Sequence, residues 1–146
     1  MSVENLRIYR EATEIAAEVS RWVSSWPRFD QWSLGMQIVR SAESISSNIS
    51  EGYGRFGTGE MLQFLMIADA SLQECKNQIG HALARKLIGE DDAKALKKRL
   101  SSLSISIVEF CNAKLKADPN YNGRFRQIIA KRRAWLLEHY KRRNKH

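Results

Sequence analysis

Apolar residues recur along most of the chain at spacings of three and four, the period expected of α-helices that bury one side. The positions are Ile8, Ala12, Ile15, Val19 and Trp22, then Leu34, Ile38, Ala42, Ile45, Ile49 and Tyr53, then Met61, Leu65, Ala68, Leu72, Cys75, Ile79 and Ala82, then Ala93, Leu96, Leu100, Leu103, Ile107 and Phe110. No segment alternates with a period of two, so strands are not expected. The pattern predicts an all-α protein with an antiparallel up-down four-helix bundle over residues 1–116.

The breaks between these segments carry residues typical of helix ends. Pro27 ends the first segment because proline disfavours helix in the residue before it. Ser33 is predicted to be the N-cap of the second helix. Gly89 is predicted to close the third helix as the residue just after it, and the acidic residues 90–92 suit the positive N-terminal end of the fourth.

A basic segment follows the predicted bundle. Residues 117–123 contain a turn-rich break and are expected to form a linker. Residues 124–146 mix aromatic and aliphatic residues at loosely helical spacing with many arginines and lysines. We therefore expect a fifth, amphipathic helix that docks its aromatic side on the bundle or on another subunit, with its charges facing outward.

The net charge of +8 is concentrated in that segment. Residues 1–123 hold 15 Lys and Arg against 15 Asp and Glu, whereas residues 124–146 hold nine against the single Glu138. Such asymmetry is typical of a protein with a polyanionic partner, most often nucleic acid. The candidate binding residues are Arg124, Arg126, Lys131, Arg132, Arg133, Lys141, Arg142, Arg143 and Lys145. A solubilising end, a helix that caps the bundle and, less favoured, a membrane-surface helix are the alternatives.

The predicted second helix also carries an unusual polar stripe. Its members, within an arc of about 80°, are Gln37, Arg40, Ser44, Asn48, Glu51 and Arg55. The stripe mixes amides, a hydroxyl and charges of both signs, unlike the Lys and Glu of an ordinary solvated face. Identical subunits could satisfy such groups across an interface, and a solvated bundle face remains the alternative.

The chain offers little that indicates catalysis. The histidines lack partners at metal-ligand or triad spacing, and the glycines between residues 52 and 59 lack the Lys-Ser/Thr ending of a phosphate-binding loop. Cys75 and Cys111 fall on apolar faces and are expected to be buried and reduced. No secretory signal or apolar run near ~20 residues is present. The expectation is a cytosolic protein without enzymatic activity, metal, cofactor or membrane contact.

Two central segments resemble a known family. The residues that carry the resemblance are Leu34, Gln37, Arg40, Ser41, Ala42, Ser44, Ile45, Ser47, Asn48, Ile49, Ser50, Glu51, Gly52 and Arg55, followed by Glu60, Phe64, Leu65, Ile67, Ala68, Ala70, Ser71, Leu72 and Glu74. They resemble the bacterial four-helix-bundle proteins encoded in intervening sequences of large-subunit ribosomal RNA genes. Relatives of that family include accessory proteins of diversity-generating retroelements. The resemblance spans roughly residues 3–116.

The resemblance implies a ring-shaped homo-pentamer and favours RNA over DNA, which the basic segment alone does not distinguish. Together these features predict a non-enzymatic RNA-binding homo-oligomer. In the form that the resemblance allows, it binds a reverse transcriptase and its template RNA in a diversity-generating retroelement. The alternative is a structural adaptor ring that recruits a protein partner without nucleic acid.

Overall fold

A computed structural model describes residues 2–144, with side chains up to residue 140. After a 3-10 turn at Val3–Asn5 come α1 (Arg7–Ser24), α2 (Met36–Tyr53), α3 (Thr58–Ala84), α4 (Glu90–Ala117) and α5 (Phe125–Asn144). No strand occurs between residues 2 and 144, and the prediction of an all-α protein is confirmed.

The first four helices close around one apolar core. Helices α1 and α3 each pack against both α2 and α4. A buried hydrogen bond runs from Ser41 to Gln78 and a partly buried one joins Ser44 and Ser71, so residue numbers fall along α3 as they rise along α2, and the two helices are antiparallel. The predicted apolar positions are all buried except four that are partly buried, namely Trp22, Tyr53, Met61 and Phe110. The spacing of the apolar residues therefore identified the core.

The predicted N-cap role of Ser33 is wrong. The chain turns helical directly after Pro27, through the turn Arg28–Asp30 and the π-helical segment Gln31–Gly35, which leads into α2. The Ser33 hydroxyl lies inside this segment and donates to the carbonyl of Phe29 at 2.8 Å. Proline is well suited to the start of a helix, so the chain becomes helical again directly after Pro27 and needs no N-cap residue farther along.

The predicted role of Gly89 at the end of α3 is also wrong. Lys86 takes the left-handed conformation there, with φ of 61°. Its N–H bonds the carbonyl of Leu83, and the N–H of Leu87 bonds that of Ala82, each at 3.0 Å, which is the Schellman arrangement. Gly89 is extended and precedes α4. The two hydrogen bonds, with Leu87 packed against the core, offset the cost of a left-handed lysine.

Cys75 and Cys111 are buried and unpaired, as predicted. Burial raises the pKa of the Cys75 thiol to about 11 and that of the Cys111 thiol to about 12. Both thiols are therefore protonated at neutral pH and behave as core groups, since the thiolate is the reactive form.

The close approach of α2 and α3 depends on Gly52. A Cβ atom there would lie 3.0 Å from the carbonyl oxygen of Met61 and 3.2 Å from Cβ of Phe64. We expect Gly52→Ala to lower the free energy of unfolding by about 1–2 kcal/mol, because the helices must separate to admit the methyl group. Gly54→Ala is the matched control, since a Cβ there finds its nearest atoms at 3.7 Å. Urea unfolding measures both, and equal stabilities would contradict this packing constraint.

Candidate nucleic-acid interface

The basic helix α5 docks on the bundle, against α4 and α3. Ile129 is fully buried, and Phe125 and Leu136 pack partly buried against the core. These three apolar side chains give α5 one inward face. The predicted fifth helix therefore exists, and the bundle holds it in place.

The turn before α5 is fastened at both ends. The Arg126 guanidinium donates to the carbonyl of Tyr121 at 2.8 Å and to that of Asp118 at 3.0 Å. The Thr58 hydroxyl at the start of α3 donates to the Asp118 carboxylate at 2.7 Å. Arg126 thus holds the segment between α4 and α5 in shape, and these contacts fix where α5 begins.

A buried carboxylate joins α5 to the bundle. Asp69 on α3 is 5% exposed. It accepts a hydrogen bond from the Ser104 hydroxyl of α4 at 2.5 Å and one from Arg132 Nε of α5 at 2.8 Å. A second guanidinium nitrogen of Arg132 lies 3.3 Å from the Ser104 hydroxyl. We call these three residues the Asp69 cluster. It ties three helices together at one point.

The nine predicted nucleic-acid-binding residues divide into groups. Arg126 and Arg132 make the contacts given above, and Arg133 pairs with Glu109 of α4 at 2.7 Å. Arg124 and Lys131 are exposed. The side chains of residues 141–143 and all of Lys145 lie outside the described part of the chain. The prediction that the charges of this helix face outward is wrong for Arg132, because its guanidinium turns inward to pair with the buried Asp69 carboxylate.

The aromatic residues of α5 are not all docked. Trp135 is 47% exposed and Tyr140 is 54% exposed. The Trp135 ring stacks on His139 with 3.7 Å between centroids, and the Arg132 guanidinium lies 4.8 Å from the same ring. The Asp69 cluster therefore also steadies an exposed aromatic surface, a combination suited to stacking on nucleic-acid bases.

Three lysines of α4 that the sequence analysis did not single out lie beside this surface. Lys94, Lys97 and Lys98 line, together with Tyr140 of α5, a groove of about 740 Å³. The net charge of residues 90–98 does not reveal them, because the three acidic residues 90–92 balance the three lysines. Their i, i+3, i+4 spacing was the available signal, since it places all three on one side of a helix.

The middle of the polar stripe of α2 differs from its two ends. The Asn48 amide donates to the carbonyl and the hydroxyl oxygen of Ser44 at 2.8 and 2.9 Å, so these two side chains form hydrogen bonds within the chain. Gln37 and Arg40 are exposed. At the other end Arg55 pairs with Glu51 at 3.1 Å, and both are solvent-accessible. The stripe's outer ends are therefore open to a partner, whereas its middle belongs to the α2–α3 contact.

An exposed apolar patch adjoins the stripe at the start of α2. Phe29 is 75% exposed, Trp32 is 65% exposed and Met36 is 40% exposed. Large side chains this exposed at a spacing of three and four residues mark a contact surface more often than a solvated one. We call these three residues the aromatic patch.

Residues 2–144 contain no group of three or more His, Cys, Asp or Glu side chains placed to hold a metal ion. None of the helices described is both long and apolar enough to cross a bilayer.

We expect Arg132→Ala to lower the free energy of unfolding by about 2 kcal/mol, because it leaves the buried Asp69 carboxylate without its arginine partner. Lys131→Ala is the control, since Lys131 carries the same charge at the adjacent, exposed position. Thermal unfolding followed by circular dichroism measures the difference. Equal midpoints for the two variants would show that the Asp69 cluster does not hold α5.

Comparison with known proteins concerns the bundle rather than the basic helix. A search of curated proteins gave no match to the chain. A family model described as 23S rRNA-intervening sequence protein matches residues 4–109, which include α1 to α3 and most of α4 and end before α5. That span is well over half of the chain and agrees with the resemblance read from the second and third helices. The protein therefore belongs to the family of 23S rRNA-intervening sequence proteins.

Proposed function

We propose that this protein is a non-enzymatic RNA-binding homo-oligomer that contacts RNA through α5 and the residues after it. The observation that carries the proposal is the concentration of the whole charge excess in residues 124–146, a segment whose helix, Phe125–Asn144, the bundle holds in place. Lys94, Lys97 and Lys98 of α4 extend the same positive surface. Arginine and lysine bind phosphate oxygens, and the counterions they displace drive association.

Structured RNA is the ligand we favour. The family's name refers to ribosomal RNA, which is consistent with this choice. Because α5 lies outside the matched residues, the proposal rests on the charge and geometry of this chain itself. Equal or tighter binding to a DNA of the same base sequence would contradict the preference for RNA.

We further propose that subunits associate through the α2 surface, in the ring-shaped pentamer that the resemblance implies. Gln37, Arg40, Glu51 and Arg55 supply exposed polar groups of both signs. A ring would present several basic helices to one RNA, and this multiplies affinity without any new type of contact.

A protein partner is the second candidate function, and the aromatic patch is the observation that favours it. In the accessory role of a diversity-generating retroelement, that partner is a reverse transcriptase and the RNA is its template. In the adaptor form, the ring recruits a protein without nucleic acid. An adaptor held by apolar contacts would bind with little dependence on salt, whereas RNA binding weakens steeply as salt rises.

The RNA proposal predicts a specific response to charge removal. We expect the combined variant Lys141→Gln, Arg142→Gln, Arg143→Gln to weaken binding to a structured RNA and to lower the salt slope by about 2, at roughly 0.7 for each phosphate that is no longer neutralised. Fluorescence anisotropy over a salt series measures both quantities. Truncation at Gly123 is a poorer test, because it would also remove the buried Ile129 and the ion pair of Arg132 with Asp69.

The matched control for that experiment is Arg10→Gln, Arg21→Gln, Arg28→Gln. It removes the same charge from exposed positions on α1 and at the start of the helical path to α2. Equal loss of affinity in both triple variants would mean that net charge alone drives binding. That result would overturn the assignment to α5.

The interface proposal predicts a change in molecular mass. We expect Arg40→Glu to give a smaller species in light scattering, because the exposed charge reverses within the proposed contact. Arg10→Glu, on the exposed side of α1, should leave the mass unchanged. An unaltered mass for Arg40→Glu, with the parent protein oligomeric, would remove the α2 stripe from the interface.

A further inference from the structure

We infer that the groove between α4 and α5 holds an unpaired segment of the RNA, with phosphates on the lysines and a base against Tyr140. This inference rests on the proposed RNA binding and deepens it, since it names the form of RNA and the place where it lies. The groove includes none of the polar-stripe residues of α2 and none of the nine candidate binding residues of the basic segment.

Most residues that line the groove belong to α4, and α5 contributes the ring of Tyr140. Lys94, Lys97 and Lys98 project from the N-terminal half of α4, and Tyr140 from the C-terminal half of α5. Glu90 contributes one carboxylate to the lining. With three ammonium groups against one carboxylate, the groove attracts anions.

A second, smaller cavity continues the groove along α5. Ser101, Ile105 and Tyr140 line both spaces, and Trp135 lines the second. Two half-exposed rings therefore stand along one path beside the lysines. Alternation of cationic groups with stacking rings is the arrangement by which proteins bind single strands, because every base has a flat face and every linkage a phosphate.

Size and shape favour a single strand over a duplex. A volume of about 740 Å³ lies within the range of small-ligand sites and suits one or two nucleotides. In an A-form duplex the bases are paired and stacked on one another, so a tyrosine in a groove between helices cannot reach a base face. An acidic peptide would also meet the lysines, but it would leave the exposed Tyr140 ring without a flat partner.

The Asp69 cluster sets the geometry of this path. Arg132 bonds Asp69 and lies against the Trp135 ring, so the ion pair fixes the rotation of α5 about its axis. Tyr140 lies eight residues along α5 from Arg132, just over two helical turns farther and about 80° around the helix, where it lines the groove with residues of α4. The ion pair that holds α5 thereby also turns Tyr140 toward α4.

The test compares two forms of one RNA sequence on the full-length protein. A labelled single strand of about ten nucleotides and the same strand annealed to its complement are titrated by fluorescence anisotropy. We expect Tyr140→Leu to weaken binding of the single strand about tenfold, a typical loss for one stacking contact, and that of the duplex by less than about twofold. Phe56→Leu is the control, because Phe56 is an exposed ring at the corner between α2 and α3, away from the groove.

The combined variant Lys94→Gln, Lys97→Gln, Lys98→Gln provides the second measurement. It should reduce single-strand affinity and its salt slope, whereas the Arg10, Arg21 and Arg28 triple variant should not. If Tyr140→Leu changes the affinities for the single strand and the duplex equally, or changes neither, the inference about the groove is wrong. The proposed RNA binding by α5 would still stand. If the unmodified protein binds neither the single strand nor the duplex, the proposed function itself is wrong. Unchanged thermal unfolding of each variant confirms that the fold persists.

Discussion

The carboxylate of Asp69 is the constraint on which the placement of the basic helix, and with it the proposed RNA-binding surface, depends. A buried carboxylate is stable only when hydrogen bonds and an opposite charge replace the water it has lost. Ser104 of α4 and Arg132 of α5 meet that need together. The result is a basic helix fixed in position and rotation on the bundle, where an isolated helix of this composition would be only marginally stable in water.

Fixing α5 changes what its charges do. Arg126, Arg132 and Arg133 become structural, through contacts with the preceding turn, with Asp69 and with Glu109. Arg124 and Lys131 remain exposed on a helix that the bundle holds in place. A preorganised basic surface loses less conformational entropy on binding than a disordered arm does, so each contact contributes more to affinity. The family's bundle thus serves as the scaffold, and α5 adds a surface to it.

The sequence predicted the helices and the core well, because the period of apolar residues directly reflects burial. Two sequence-based predictions of helix ends failed because a local signal competed with geometry. Ser33 has the chemistry of an N-cap but follows a proline that starts the helix sooner. Lys86 takes the left-handed conformation that is expected of glycine. The Asp69–Arg132 ion pair joins residues 63 apart in sequence. No periodicity reports such a pairing, so Arg132 was expected among the outward-facing charges.

The central claim, that RNA lies on α5 and the adjoining face of α4, is tested most directly by ultraviolet cross-linking of the unmodified full-length protein to RNA. Mass spectrometry then locates the cross-linked peptides. The account predicts adducts at Tyr140 or Trp135 and in the peptide that carries Lys94–Lys98. Adducts confined to α1 or to the aromatic patch at the start of α2, or none at RNA concentrations that saturate binding, would contradict it.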